Sequence, residues 1–137
     1  MMDAAAEIIP GISLGGFSLR KHITEYSELL ERYNILEKLR YEQVDIYSTR
    51  YSFVGFPIEV NVDNRTGLIY KISAIKGYSG KLNTLVGIGS SAKDVLTLGH
   101  GFYYDDCDEA ILSTELAGIA IELNEDDPLP GEIDNLD

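Results

Sequence analysis

The sequence predicts an α+β fold, in which an antiparallel sheet carries a main helix and a shorter second helix packed on it. Apolar residues are spaced by three and four over residues 19–33, which is typical of an amphipathic helix. Apolar and polar residues alternate on both sides of residues 63–67, which predicts a β-hairpin. Beyond residue 88, a short helical segment is followed by three short strand candidates.

The main helix follows an extended lead-in. Residues 8–17 contain Gly11, Gly15 and Gly16, which favour an extended chain over a helix. Ser18 is the predicted N-cap of the helix over residues 19–33, and residues 34–40 either extend it or form another turn. The apolar face of this helix consists of Leu19, Ile23, Tyr26, Leu29, Leu30 and Tyr33.

Strands are predicted after the helix. Residues 44–51 alternate between two mixed faces and are interpreted as a single strand. Residues 57–76 are predicted to form a hairpin, because Gly67 can supply the positive φ of a type I turn closed by a bulge. The expected core consists of Ile23, Tyr26, Leu30, Val60, Leu68 and Ile72.

The last third of the chain predicts a second group of elements. Residues 89–99 are predicted to form a short helix, capped by Ser91 and stopped by Gly99. Strand candidates lie near residues 102–105, 110–113 and 118–123. Similar glycine-rich stretches precede the two helices. They leave open an internal repeat, in which two helix-plus-meander halves share one antiparallel sheet.

The length of 137 residues predicts one domain over residues 1–123, followed by an acidic, proline-containing C-terminal tail over residues 124–137.

The charge is distributed unevenly along the chain. The formal net charge is −12, from 11 basic and 23 acidic residues. Residues 94–137 contain thirteen acids and no base, whereas residues 1–93 are nearly neutral. An acidic surface repels phosphate groups, so the composition argues against nucleic acid or an anionic membrane as a partner.

Targeting and cofactor signals are absent from the sequence. The first ten residues show no signal-peptide pattern, and no apolar run approaches the roughly 20 residues needed to span a bilayer. The expected location is therefore cytoplasmic. Cys107 is the only cysteine and the histidines are His22 and His100, which argues against structural zinc. We expect no metal and no cofactor.

The sequence also predicts that the protein is not an enzyme. Asp106 and Asp108 flank Cys107 and oppose formation of its thiolate, so a half-buried position on a strand edge is the expected role of this cysteine. The glycines around Ile88 lack the Lys-Ser/Thr ending of a P-loop. The C-terminal carboxylates do not follow EF-hand spacing.

A candidate partner-binding surface combines tyrosines with carboxylates. Tyrosine rings provide anchor area that can be desolvated, and the charges steer a cationic partner towards it. The alternative interpretation is a solvated face that only keeps the protein soluble. The surface consists of Tyr103, Tyr104, Asp105, Asp106, Asp108 and Glu109.

Three stretches resemble small bacterial immunity proteins that accompany the polymorphic toxins of contact-dependent growth inhibition. They are residues 9–15 (IPGISLG), residues 86–95 (VGIGSSAKDV) and the closing segment from Tyr103-Tyr104-Asp105 through residues 118–123 (GIAIEL). The resemblance implies a cytoplasmic protein that binds and occludes a cognate toxin domain, with a cationic nuclease as the expected target. The same pattern is similar to the β-lactamase-inhibitor-protein and outer-membrane assembly lipoprotein folds, although no lipobox cysteine is present.

Two other functions remain open as alternatives. One is a non-catalytic adaptor of unrelated biology, which a hydrophobic groove would favour. The other is a small enzyme, which a deep pocket lined by His100, Tyr103 and Asp105 would favour.

Overall fold

The structure of this protein is a computed structural model that describes residues 2–82, 86–88, 90, 92–99, 101–107, 110–115 and 120–122. The chain divides into two compact units, which we call unit 1 (Met1–Ile88) and unit 2 (Gly89–Asp137). A single domain over residues 1–123 stays a prediction, and the predicted tail over residues 124–137 lies outside the described residues.

Both units combine helix and antiparallel strands, and the predicted α+β class is confirmed. Unit 1 contains β1 (Ser13–Leu14), β2 (Phe17–Ser18), a 3-10 turn (Ile23–Tyr26) that continues into α1 (Ser27–Ile35), β3 (Leu39–Asp45), β4 (Ser48–Phe53), β5 (Phe56–Asp63) and β6 (Ile69–Ala74). Unit 2 contains α2 (Ala92–Thr97), β7 (Phe102–Asp105), β8 (Ala110–Ser113) and β9 (Ala120–Glu122).

In each unit a helix is followed by an antiparallel meander. Strands β3 to β6 form a four-stranded sheet in chain order, strands β7 to β9 form a three-stranded sheet, and β1 pairs with β2. The described strands of the two meanders belong to separate sheets, so the expectation of one shared sheet is wrong for this part of the chain.

The main helix begins at Ile23 rather than Leu19, and Ser18 is a strand residue rather than its cap. The intervening backbone is held against the hairpin, because Arg20 N–H donates to Ile69 C=O and Ile69 N–H donates to Lys21 C=O, at 2.8 and 2.9 Å. The His22 side chain caps the helix by accepting from Thr24 N–H. These bonds to residues far along the chain compete with an earlier helical turn.

The single strand predicted over residues 44–51 is wrong, because a turn at residues 46–47 separates β3 from β4. The carboxylate of Asp45 accepts from Tyr47 N–H at 2.7 Å and from the Ser48 hydroxyl at 3.2 Å. An aspartate that bonds the backbone two residues ahead favours a turn over a continuous strand.

The hairpin around residues 63–67 is confirmed, with Gly67 at φ 75° and its N–H donating to Asp63 C=O at 2.7 Å. A bulge changes the alternation just after the turn, since Asn61 pairs with Lys71 but Val62 pairs with Ile69. As a result Ile69 is 1% exposed and Leu68 is 38% exposed, so the prediction of Leu68 in the core is wrong.

The core of unit 1 lies between the inner face of the sheet and the segment before α1. Its centre is Phe17, which is fully buried, with ring centroids 4.8 Å from Tyr26 and 5.7 Å from Phe53. Tyr33 of α1 meets Phe53 edge to face at 5.2 Å. Val60 is buried as predicted, and Ile23, Tyr26, Leu30 and Ile72 are half-buried against the core.

The N-terminal segment is attached to the end of the meander. Ser79 N–H donates to Ala4 C=O at 2.8 Å, and the Tyr78 hydroxyl donates to Ala6 C=O at 2.6 Å. Tyr78 is buried. Residues 8–17 contain no helix, as predicted, but they do not form a continuous extended chain, because turns at residues 10–12 and 15–16 separate the short strand segments.

The described elements of unit 2 follow the predicted boundaries closely. Strands β7 and β8 coincide with the predicted strands, and β9 lies within the third predicted range. Gly99 has φ 85° just after α2, as expected for a residue that ends a helix. The predicted cap, Ser91, lies outside the described residues. Val95, Ala110 and Ile111 are buried.

Within the described chain, no helix has the length and apolar character needed to cross a membrane.

Candidate partner-binding surface

The predicted surface lies on β7 and in the turn that follows it. Tyr103, Tyr104 and Asp105 belong to β7, and Asp106 is the first residue of the turn towards β8. Asp108 and Glu109 lie outside the described residues. The described members are thus close in the chain, and the alternation of side chains along β7 decides which of them share a face.

Tyr103 and Tyr104 point to opposite faces of the three-stranded sheet, because successive residues of a strand alternate. Tyr103 lies opposite Leu112, and Tyr104 lies opposite Ile111, which is fully buried. Tyr103 is 42% exposed, whereas Tyr104 is half-buried. The structure therefore places Tyr103 and Asp105 on one face and separates Tyr104 from them.

The turn after β7 is organised by Asp105. Its carboxylate accepts from Cys107 N–H at 2.8 Å, which is the local bond of an Asx turn. Asp106 and Cys107 are exposed in this turn. The expectation that Cys107 is half-buried on a strand edge is therefore wrong, because the turn directs it into solvent.

The charge distribution follows the boundary between the two units. Unit 1 contains ten acidic and ten basic residues and is formally neutral. Unit 2 contains thirteen acidic residues and one basic residue, Lys93. The whole formal net charge of the protein therefore resides in unit 2, which also carries the predicted surface.

Some charges of unit 1 are paired within the sheet. Arg50 on β4 lies 3.2 Å from Glu42 on β3, and Arg65 lies 3.2 Å from Asp63 in the β5–β6 turn. The hydrogen bonds from Arg65 lower the pKa of Asp63 below its ordinary value. These pairs contribute to the neutral character of unit 1.

Sequence reasoning missed an exposed aromatic and aliphatic region at one end of the four-stranded sheet. Tyr41 on β3, together with Val44, Ile46 and Tyr47, is exposed. The guanidinium of Arg65 lies 5.2 Å from the centre of the Tyr47 ring. The signal was present in the sequence, since neither face of residues 44–51 is purely apolar, as expected for a segment that the core covers only in part.

The described residues place no group of side chains suited to metal chemistry. Among the described residues, no cluster of three or more His, Cys, Asp or Glu side chains is placed to hold a metal ion. His100, which the enzyme alternative requires, lies outside the described residues.

Comparison with known proteins finds no matching family model, no matching curated protein and no matching solved structure. The resemblance to immunity proteins therefore stays a prediction.

Proposed function

We propose that this protein is a cytoplasmic immunity protein of contact-dependent growth inhibition. It binds and occludes the toxin domain that a neighbouring cell delivers, and this domain is a cationic nuclease. The observation that carries the proposal is the confinement of the net charge to unit 2, together with exposed Tyr103 and half-buried Asp105 on one face of β7. A catalytic cleft that holds nucleic acid must be cationic, so an acidic unit has the complementary charge.

Within this proposal, charge and aromatic contact have different tasks. The carboxylates of Asp105 and Asp106 raise the rate of encounter with a cationic cleft, because long-range attraction acts before contact. Tyr103 then supplies an aromatic anchor that loses its solvent on binding. Tyr104 lies on the face of buried Ile111 and contributes to the fold of unit 2 more than to the interface.

The proposal can be tested with the C-terminal domain encoded by the reading frame immediately upstream of this gene. Expression of that domain should be toxic, and co-expression of this protein should restore growth. If the upstream frame encodes no toxic domain, or if this protein neither binds the domain nor protects, the proposal is wrong.

The role of charge can be separated by association kinetics at two ionic strengths. The double variant Asp105→Lys with Asp106→Lys should slow association by about tenfold or more and flatten its salt dependence. A matched control, Glu7→Lys with Glu31→Lys, changes the net charge equally at exposed positions of unit 1 and should have a small effect. Equal slowing by both variants would show that total charge acts, rather than this surface.

The anchor role of Tyr103 is tested by dissociation kinetics. Tyr103→Ala should raise the dissociation rate and cost about 2–4 kcal/mol of binding, with the salt dependence nearly unchanged. Tyr70→Ala is the control, because Tyr70 is a comparably exposed tyrosine in unit 1. An unchanged dissociation rate for Tyr103→Ala would place the contact on another surface.

A further inference from the structure

Strand β3 is exposed on both of its faces. It is the first strand of the four-stranded sheet, so β4 pairs with one of its edges, and none of the residues that the structure describes pairs with the other edge. Leu39 is half-buried, and all of residues 40–45 are exposed. A strand with one open edge offers unpaired backbone groups that can template another strand.

The residues that point their backbone to the open edge can be identified from one bond. Val54 N–H donates to Lys38 C=O at 2.8 Å, so the backbone of Lys38 faces β4. Because backbone groups alternate between the two edges of a strand, Arg40 and Glu42 also face β4. Leu39, Tyr41 and Gln43 therefore direct their N–H and C=O groups to the open edge.

We propose that β3 pairs antiparallel with β3 of a second copy of this chain, with the two-fold axis at Tyr41. In this register Tyr41 lies opposite Tyr41 of the second copy, and Leu39 lies opposite Gln43. All three residues present their backbone to the shared edge, so the ladder closes without a register shift. The pairing joins two four-stranded sheets into one continuous sheet.

Charge complementarity selects this register. Arg40 and Glu42 flank Tyr41 on the outer face of the sheet, so each Arg40 lies opposite Glu42 of the other copy. Glu42 already lies beside Arg50 of its own chain, and the pairing therefore places it between two arginines. Oppositely charged residues across a strand pair are stabilising, and like charges are destabilising.

Other registers lack this match. An axis at Glu42 would place the two Glu42 carboxylates opposite each other. An axis at Gln43 would place Arg40 opposite Ile46 and would cross the irregularity of β3 between Gln43 and Asp45. Only the Tyr41 register combines paired charges with the regular part of the strand.

The inner face supports the same register. Tyr41 is 71% exposed in the single chain, and its ring lies 6.2 Å from the ring of Tyr51. Pairing at Tyr41 brings the two Tyr41 rings together between the two Tyr51 rings and buries them. Unit 1, which carries the paired strands, is also formally neutral, so this unit contributes no like net charge to the contact.

The test measures the mass of the full chain by sedimentation equilibrium across the micromolar range at physiological salt. The wild-type chain should be in monomer–dimer equilibrium. Arg40→Glu and Glu42→Arg should each raise the dissociation constant by about tenfold or more, because two cross-strand pairs become repulsive. Circular dichroism establishes that each variant is folded.

Mixing the two variants gives a positive signal that a folding defect cannot produce. Arg40→Glu has acidic residues at both positions and Glu42→Arg has basic residues at both, so their strands are complementary to each other. An equimolar mixture should form a heterodimer that neither variant forms with itself. Glu59→Arg, on the same outer face but on inner strand β5, should dimerise like the wild type.

Three outcomes would overturn the proposal. The wild-type chain could remain a monomer throughout the range, which would leave the edge open or assign it to a different protein. The single variants could dimerise like the wild type, which would place the interface elsewhere. The mixture could fail to associate, which would exclude the Tyr41 register.

Discussion

Unit 1 and unit 2 differ in both core and charge. Unit 1 buries a cluster of large side chains around Phe17 beneath a four-stranded sheet, and it is formally neutral. The described part of unit 2 buries Val95, Ala110 and Ile111 against shorter strands, and this unit carries the whole net charge. Like charges destabilise a compact state. We therefore expect unit 1 to be the more stable unit and unit 2 to present the charged surface.

The largest effect is expected in the core of unit 1. Phe17→Ala should lower the free energy of unfolding by about 3–5 kcal/mol, because a fully buried ring in contact with Tyr26 and Phe53 is lost. Urea unfolding, followed by hydrogen exchange of the β5 amides, measures this change. Ile35→Ala is the control at an exposed position and should change stability by less than about 0.5 kcal/mol. Similar losses for both variants would contradict the assigned core.

A second substitution tests the core of unit 2. Ile111→Ala should cost about 2–5 kcal/mol, because Ile111 is fully buried on the central strand of the meander. Hydrogen exchange should show the loss of protection in β7 and β8. If the amides of β5 lose protection to the same extent, the two units unfold together and do not differ in stability as we expect.

The close approach of the lead-in to the sheet of unit 1 is tested by a pair of glycines. Gly15 and Gly55 both have positive φ, at 65° and 84°. A Cβ at Gly15 would overlap the Ile58 side chain, whereas a Cβ at Gly55 meets nothing within 4 Å. Gly55→Ala should cost about 1 kcal/mol from the backbone alone, and Gly15→Ala should cost about 1–3 kcal/mol more from overpacking. Thermal unfolding measures both, and equal losses would show that Ile58 moves aside freely.

The smallest effect concerns the pH dependence of unit 1. Burial raises the pKa of the Tyr78 hydroxyl, which donates to Ala6 C=O. The folded state favours the neutral hydroxyl. The contribution of the hydroxyl to the free energy of unfolding is therefore complete below the ordinary tyrosine pKa of about 10, and it is lost as the pH rises above that value. Tyr78→Phe should cost about 1 kcal/mol at neutral pH, and this difference should shrink at high pH.

Urea unfolding at neutral and at strongly alkaline pH checks the Tyr78 prediction. Ile35→Ala is the control, because Ile35 is exposed and carries no titratable group, so its substitution should leave the pH profile unchanged. A difference between wild type and Tyr78→Phe that stays constant into the alkaline range would show that the hydroxyl does not titrate with unfolding.

The proposed surface was predictable in part. The run of tyrosines and carboxylates that starts at Tyr103 is visible in the sequence, and so is the imbalance of charge. The separation of Tyr104 from Tyr103 follows from the period of a strand, once residues 102–105 are assigned to one. The half-buried state of Tyr104 could not be predicted without the strand that pairs with β7, because the pairing with β8 places Tyr104 opposite buried Ile111.

The sequence by itself determined the features that depend on neighbouring residues. The α+β class, the turn at Gly67, the end of α2 at Gly99 and the strands of unit 2 follow from the period of apolar residues and from the φ angles that glycine permits. Only the tertiary structure decided the start of the main helix and the burial of Ile69 in place of Leu68. Both depend on hydrogen bonds between residues 20–23 and 67–69 and on a bulge opposite β5, and a local pattern contains no information about which distant backbone groups will be available for pairing.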